Sequence, residues 1–292
     1  MAHFTPLLRW RLLNDKTDFL KITLLVLISS FCVNFAFAQS CEQKNAEFEL
    51  GCHSWTEITQ ALKEGSTTVI VPIGGTEQSG PYIAVDKHNR RVHYLAGEIA
   101  RNLGGTFVAP VIAYVPEGST NPRQSHMRFA GTLSIPPHVF AGLLEGIAES
   151  LKVQGFKAIV LLGDHGGYQK QLAQIAQSLN RKWQKEGAQA RLLYVKNYYD
   201  VIPHSYAQLL AKKGLKPFLG QHADLSDTSL TLAVDPSLVR LKALKQAPKP
   251  GIADGVYGGD PRPASAEIGR WGIEMQLNEA VKAIRLFNRS HL

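Results

Sequence analysis

At 292 residues, with 45% apolar and 19% charged side chains, the chain has the length of one large domain or two small ones, and its composition excludes disordered and collagen-like classes. Its net charge of +8 is spread along the sequence. The densest basic stretch, "KALKQAPKPG", has no interleaved aromatics, which speaks for a solvated basic face and against a nucleic-acid partner.

The first 38 residues carry Arg9, Arg11, Lys16 and Lys21, then the apolar run "ITLLVLISSFCV", then "AFA" at 36–38. This order predicts a secretory signal peptide cleaved after Ala38, and hence a secreted or periplasmic protein with no membrane contact after cleavage. An uncleaved anchor is the competing reading, but the run falls short of the ~20 residues a spanning helix needs. Cleavage removes four Lys/Arg and two Asp/Glu, so +8 becomes +6. Of three cysteines, Cys32 lies in this segment. Cys41 and Cys52 are expected to form one disulfide that staples an N-terminal arm, residues 39–54. A cysteine-based metal site or nucleophile is the alternative, and neither residue sits in a motif for one.

From residue 55 onward, short β-rich runs alternate with helical stretches. "TTVIVPI" (67–73) reads as a buried strand, "VHYLAGEIARNL" (92–103) as an amphipathic helix and "TFVAPVIAY" (106–114) as a strand. A helix follows over 138–155, a strand over 157–162, a helix over 169–187 and a strand over 190–199. Residues 241–267, rich in Pro and Gly, are expected to form a long loop before a last helix. This order predicts one α/β domain over 55–292, a three-layer α/β/α arrangement around a mostly parallel sheet.

Ligands of such sheets gather beyond the carboxyl ends of the strands. "GGTEQSG" and "GDHGGYQ" follow two of the predicted strands, and "GQHADLSDTSL" (220–230) can close over that rim. Glu77, His88, His165 and Asp227 supply two imidazoles and two carboxylates, a donor set suited to a first-row divalent ion. Glycines flank both clusters and let the backbone bend where an ion must approach. Each histidine taken singly is more often a surface or supporting residue than a ligand, and the segments are far apart in sequence.

Five segments in order resemble the creatininase family of metal-dependent amide hydrolases: "PIGGTEQSGPYIAVDKH", "SHMRFAGTLSI", "GDHGGYQ", "HADLSDTS" and "GVYGGDPRPASAEIGR". The resemblance implies that Glu77 and His165 hold a metal. Two further family ligands are replaced, the first-signature His by Ser79 and the third-signature Glu by Asp227. A gapless count from Glu77 places His88 where the family has a bridging Asp; taking Asp86 instead requires a two-residue deletion in the turn. A neutral imidazole offers one lone pair to one metal. The altered set therefore implies one ion per subunit, Zn2+ or alternatively Mn2+, held by Glu77, His88 and His165, with Asp227 as fourth ligand or water-orienting group.

By the same resemblance His222 is the candidate for proton transfer, with Asp227 as its alternative. Ser79, Tyr82, Gly166, Gly167, Tyr168 and Asp224 would line the substrate pocket, and His126 would reach the pocket or a subunit contact. His93 reads as structural. The implied activity is hydrolysis of a small cyclic or linear amide by a metal-activated water, in a homo-oligomer such as the hexamers common in the family. A binding protein that keeps the fold, or a metal enzyme of another reaction type, are the alternatives.

Overall fold

The computed structural model describes residue 41 and residues 46–291. The chain divides into two units, Met1–Gln43 and Lys44–Leu292, and the fold is that of the second. The predicted signal peptide, residues 1–38, lies outside the described residues. Cys41 and Cys52 are both disulfide-bonded. No helix among the described residues is long and apolar enough to cross a membrane.

Four strands, β1 (Thr68–Ile73), β2 (Thr106–Val108), β3 (Ala158–Gly163) and β4 (Arg191–Tyr194), pair in the order β2-β1-β3-β4, all parallel. A small antiparallel pair, β5 (Gly220–His222) and β6 (Tyr257–Gly258), stands apart. The helices are α1 (Trp55–Lys63), α2 (Lys87–Leu103), α3 (Pro137–Gln154), α4 (Gln169–Lys185), α5 (Lys196–Asp200), α6 (Ala207–Lys212), α7 (Leu225–Val234), α8 (Leu241–Gln246) and α9 (Ala266–His291).

Both central strands are buried along their whole length, which is why they read as unbroken aliphatic runs. Val69, Val71 and Ile73 of β1 pack with Leu144 of α3 and Leu172 of α4 in one core. Ile70 points the other way, into a second core with Leu95 of α2 and Ile284 of α9. The result is the expected three-layer α/β/α arrangement.

Several boundaries differ from the sequence reading. The helix expected from residue 92 begins at Lys87, because its first turn is polar yet buried against carboxylates. The strand expected over 106–114 stops at Val108; Pro110 lacks the N–H to continue the ladder, and only Ile112 bridges back to β1. The strand expected over 190–199 ends at Tyr194, where its pairing to β3 ends, and the tyrosine-rich remainder turns into α5. Finally, the expected 241–267 loop contains α8 and β6.

Glu149 of α3 ties that helix to α4. Its oxygens take Lys152 Nζ at 2.6 Å, Lys182 Nζ at 2.7 Å and Trp183 Nε1 at 2.9 Å. The bonds from Lys152 and Lys182 hold its pKa down at about 2, against an ordinary 4.5. A depressed carboxylate contributes stability above its unfolded pKa and loses it as pH falls toward the folded one. Glu149→Gln is therefore expected to lower the melting temperature at pH 7. The gap to the wild type should close between about pH 4.5 and 2, as followed by thermal melts across that range.

Candidate metal centre

β1 ends at Ile73 opposite Gly163 of β3, so the turn carrying Glu77 and the turn carrying Asp164 and His165 leave the sheet side by side. The start of α2 brings Lys87, His88 and Arg91 to the same rim. His126, from the short turn Ser125–Arg128, and His222, from β5, complete it. A cleft of about 570 Å³ opens there, with Lys87, His88, His126, His165 and His222 in its wall.

Glu77 is wholly buried at the centre. Its Oε1 lies 2.8 Å from His88 Nε2, 3.4 Å from Lys87 Nζ and 3.6 Å from His222 Nδ1. Its Oε2 lies 3.2 Å from His126 Nε2 and 3.4 Å from His165 Nε2. In two of these rings the opposite nitrogen is anchored on oxygen. His88 Nδ1 donates to Asp164 (2.7 Å) and His222 Nε2 donates to the Gln78 carbonyl (2.8 Å), whereas His165 Nδ1 accepts from the Gly167 N–H (3.4 Å) beside Glu117. Anchoring one nitrogen in this way fixes the tautomer and turns the other toward the centre, as in metal-bound imidazoles.

His126 is held differently. The Gln78 side-chain oxygen accepts from the Gly80 N–H (2.9 Å), so the Gln78 amide nitrogen is the donor to His126 Nδ1 (3.1 Å). In a neutral ring this leaves the proton on Nε2, which makes His126 a donor toward Glu77 rather than a lone-pair ligand. By distance alone, donor atoms of Glu77, Glu117, His126 and His165 all fall within 4.8 Å of one another.

Glu77 Oε2 and both Glu117 oxygens are buried without a hydrogen-bond partner. Leaving buried acceptors unpaired is costly, and a divalent cation shared with imidazole nitrogens relieves that cost. Burial opposes the charge on Glu77, but His165, Lys87 and His88 outweigh it and hold its pKa well below the carboxylate range. Burial and the Glu77 charge push Glu117 up to about 10. Burial brings His165 down to about 4; burial and Lys87 bring His222 down to about 3. Neutral imidazoles and an ionised carboxylate are the forms a metal needs, so the residues present fit a first-row divalent ion.

The backbone is shaped for the same purpose. Gly75 has φ +149°, and a Cβ there would stand 2.6 Å from Glu117 Oε1. Ser125 (φ 52°) and Ala223 (φ 53°) are the non-glycine residues with positive φ among those described, and each adjoins a histidine of the site. Such strain, about 1–3 kcal/mol each, persists where surrounding contacts over-determine it.

A family model for creatinine amidohydrolase matches residues 53–284. The chain belongs to the creatininase family. Among relatives, a mycofactocin precursor peptide peptidase of Mycolicibacterium smegmatis is 31% identical over 123 residues, which are 40% of this chain and 47% of that protein. The chain thus spans about half the length of that peptidase. Creatinine amidohydrolase of Pseudomonas putida is 22% identical over 67% of this chain and 75% of its own. A manganese form of creatininase and a zinc–zinc form of a creatininase variant share the fold, with TM-scores of 0.67 and 0.66; each is 22% identical and covers 82% of this chain and 97% of its own.

In this chain the fold brings Glu77, His88 and His165 to one rim. Asp86 stays outside: its oxygens bind Asn89 Nδ2 (2.8 Å) and Arg90 Nε (3.1 Å). Other expected roles need correction. Asp227 is not free to ligate or carry a proton, because Lys87 takes Oδ2 and Arg91 takes Oδ1 at 3.0 Å. Tyr168 is no pocket residue; it is fully buried, and its hydroxyl reaches the Ile73 and Gly74 carbonyls (2.7 Å each). Asp224 does line the cleft, with its oxygens capping α7 and accepting from Gly220 N (2.7 Å). Ser79 and Tyr82 line a separate small cavity instead of the cleft. Gly166 does line the cleft, whereas Gly167 turns the backbone beneath the His165 ring. His93 pairs with Glu49 at 2.8 Å, away from the centre.

Lys87, Arg91, Asp164, Glu117 and Gln78 were not assigned from the sequence. Lys87 and Arg91 flank His88 on one helix turn, and Asp164 precedes His165, so adjacency to candidate ligands was the available signal. Glu117 lies in an irregular segment with none.

Proposed function

We propose that this chain is an exported metal-dependent amidohydrolase that cleaves the C–N bond of a small cyclic or linear amide. The observation that carries this is that His88 and His165 each turn a ring nitrogen to one oxygen of the buried Glu77, beside Glu77 Oε2 and Glu117 oxygens that lack partners. Glu77, His88 and His165 would hold the ion. When bound, a divalent ion supplies Lewis acidity, lowering the pKa of water and polarising a carbonyl.

The chain's own groups do the rest. Asp164 orients His88, and the Gly167 N–H holds His165 Nδ1. His222, fixed by the Gln78 carbonyl, presents the Nδ1 lone pair beside Glu77, placed to take a proton from water and pass it to the leaving nitrogen. His126 Nε2–H is a donor at the same wall. The creatininase and peptidase relatives support an amide bond as the target.

The test is the metal content of purified full-length protein, followed by the His88→Ala/His165→Ala double variant, assayed on creatinine, small cyclic amides and short peptides. Wild type is expected to carry a stoichiometric divalent ion and to hydrolyse an amide, with both lost in the variant. A metal-free wild type, or an active double variant, removes the hydrolase reading. Self-association into a homo-oligomer belongs to the same proposal and is read by light scattering.

A further inference from the structure

Lys87 is the least expected side chain in the centre. Its ammonium is wholly buried, paired with Asp227 Oδ2 and 3.4 Å from Glu77 Oε1. Burying a lysine costs desolvation and rotamer entropy. It also stands in the first turn of α2, the end of a helix dipole that disfavours a cation. Something must offset these costs, and the surroundings show what. Glu77, Asp164 and Asp227 bring three carboxylates to this rim, and the cations facing them are Lys87 and Arg91.

We propose that the Lys87 ammonium occupies the gap between Glu77 and Asp227 as a built-in cation, so that this centre takes one divalent ion and not two. The inference rests on the metal reading given above and specifies its stoichiometry. Two arguments carry it. A second ion bridging Glu77 and Asp227 would need the same two oxygens that Lys87 already holds. Charge placement gives the same answer. A second divalent ion there would stand against the Lys87 ammonium and the Arg91 guanidinium, which already pair with Asp227. Lys87 is accordingly a positioning residue: it keeps Asp227 turned away from the ion and holds Glu77 Oε1 from one side.

The experiment titrates chelator-stripped full-length protein with Zn2+ and, separately, Mn2+, and counts bound ions by calorimetry and elemental analysis after gel filtration. Wild type should bind one equivalent. Lys87→Gln, which keeps polarity but removes the charge, should bind two, and Lys87→Arg should keep one. Two equivalents on wild type, or one on folded Lys87→Gln, overturns the assignment while leaving the metal reading intact. No equivalent on wild type overturns both. Asp227→Asn addresses the same point with the lysine present: it should keep the single equivalent, and loss of that equivalent would make Asp227 a ligand and overturn the assignment.

Discussion

Asp164→Ala is expected to cost about 3–5 kcal/mol of stability and to weaken divalent-ion affinity by about 10–100-fold. Both effects have one origin. Asp164 is buried and accepts from His88 Nδ1 (2.7 Å), Arg91 Nε (2.8 Å) and the Tyr198 hydroxyl (2.7 Å). Burial alone would raise its pKa; the Arg91 guanidinium and the His88 bond overcome this and hold it ionised. Truncation leaves Arg91 buried with only Asp227 for a partner, and breaking one side of a buried pair is far more damaging than replacing both. It also frees the His88 ring, whose Nε2 then loses its fixed aim at Glu77. Urea unfolding reads the first effect and a Zn2+ titration the second. Tyr198→Phe is the graded comparison: it deletes one hydrogen bond to the same carboxylate and should cost about 1.5–3 kcal/mol, the range for a bond to a charged group. An Asp164→Ala protein as stable as wild type would show that the network contributes nothing net.

Gly269→Ala is expected to destabilise the fold by about 1–3 kcal/mol or more, although Ala is the better helix former. Gly269 lies in α9 where it crosses α7. A Cβ there would stand 1.8 Å from the Ser229 carbonyl oxygen, 2.4 Å from its carbon and 2.9 Å from Ala233 Cβ. Backbone atoms cannot rotate away, so the two helices must separate. The helix-propensity gain of about 1 kcal/mol is the smaller quantity. Because α7 carries Asp227 in its first turn, the displacement should also disturb the ion pairs with Lys87 and Arg91. Gly142→Ala in α3 meets nothing within 4 Å and isolates the propensity term; it should stabilise by up to about 1 kcal/mol. Denaturant midpoints of the two variants, moving in opposite directions, check the pair. A stabilised Gly269→Ala would mean that α7 and α9 cross less closely than their carbonyl contact implies.

These contacts also show how far the chain could be read without its structure. β1 and β3 are legible because both faces of each are covered, which forces unbroken aliphatic runs. Their parallel pairing then puts Glu77 and His165 on one rim, as their positions after consecutive buried strands suggest. Residues 195–199 mislead for the opposite reason: tyrosines favour strands, but β4 is an edge whose ladder stops at Tyr194, and α5 instead sends Tyr198 to Asp164. Tyr168 looks like a pocket residue only through the family resemblance of its segment; in the fold its hydroxyl pins the turn.

By itself, then, the sequence determined the layer order and the rim, because hydrophobic periodicity and strand-end glycines are local signals. Which charges face one another was decided only by the tertiary structure. Lys87 lies ten residues from Glu77 and 140 from Asp227, and no local pattern marks a buried ammonium between them. Desolvation and pairing are properties of the packed interior. The same Lys–His–Arg turn on an exposed helix would be a solvated face, and here it is the floor of the site.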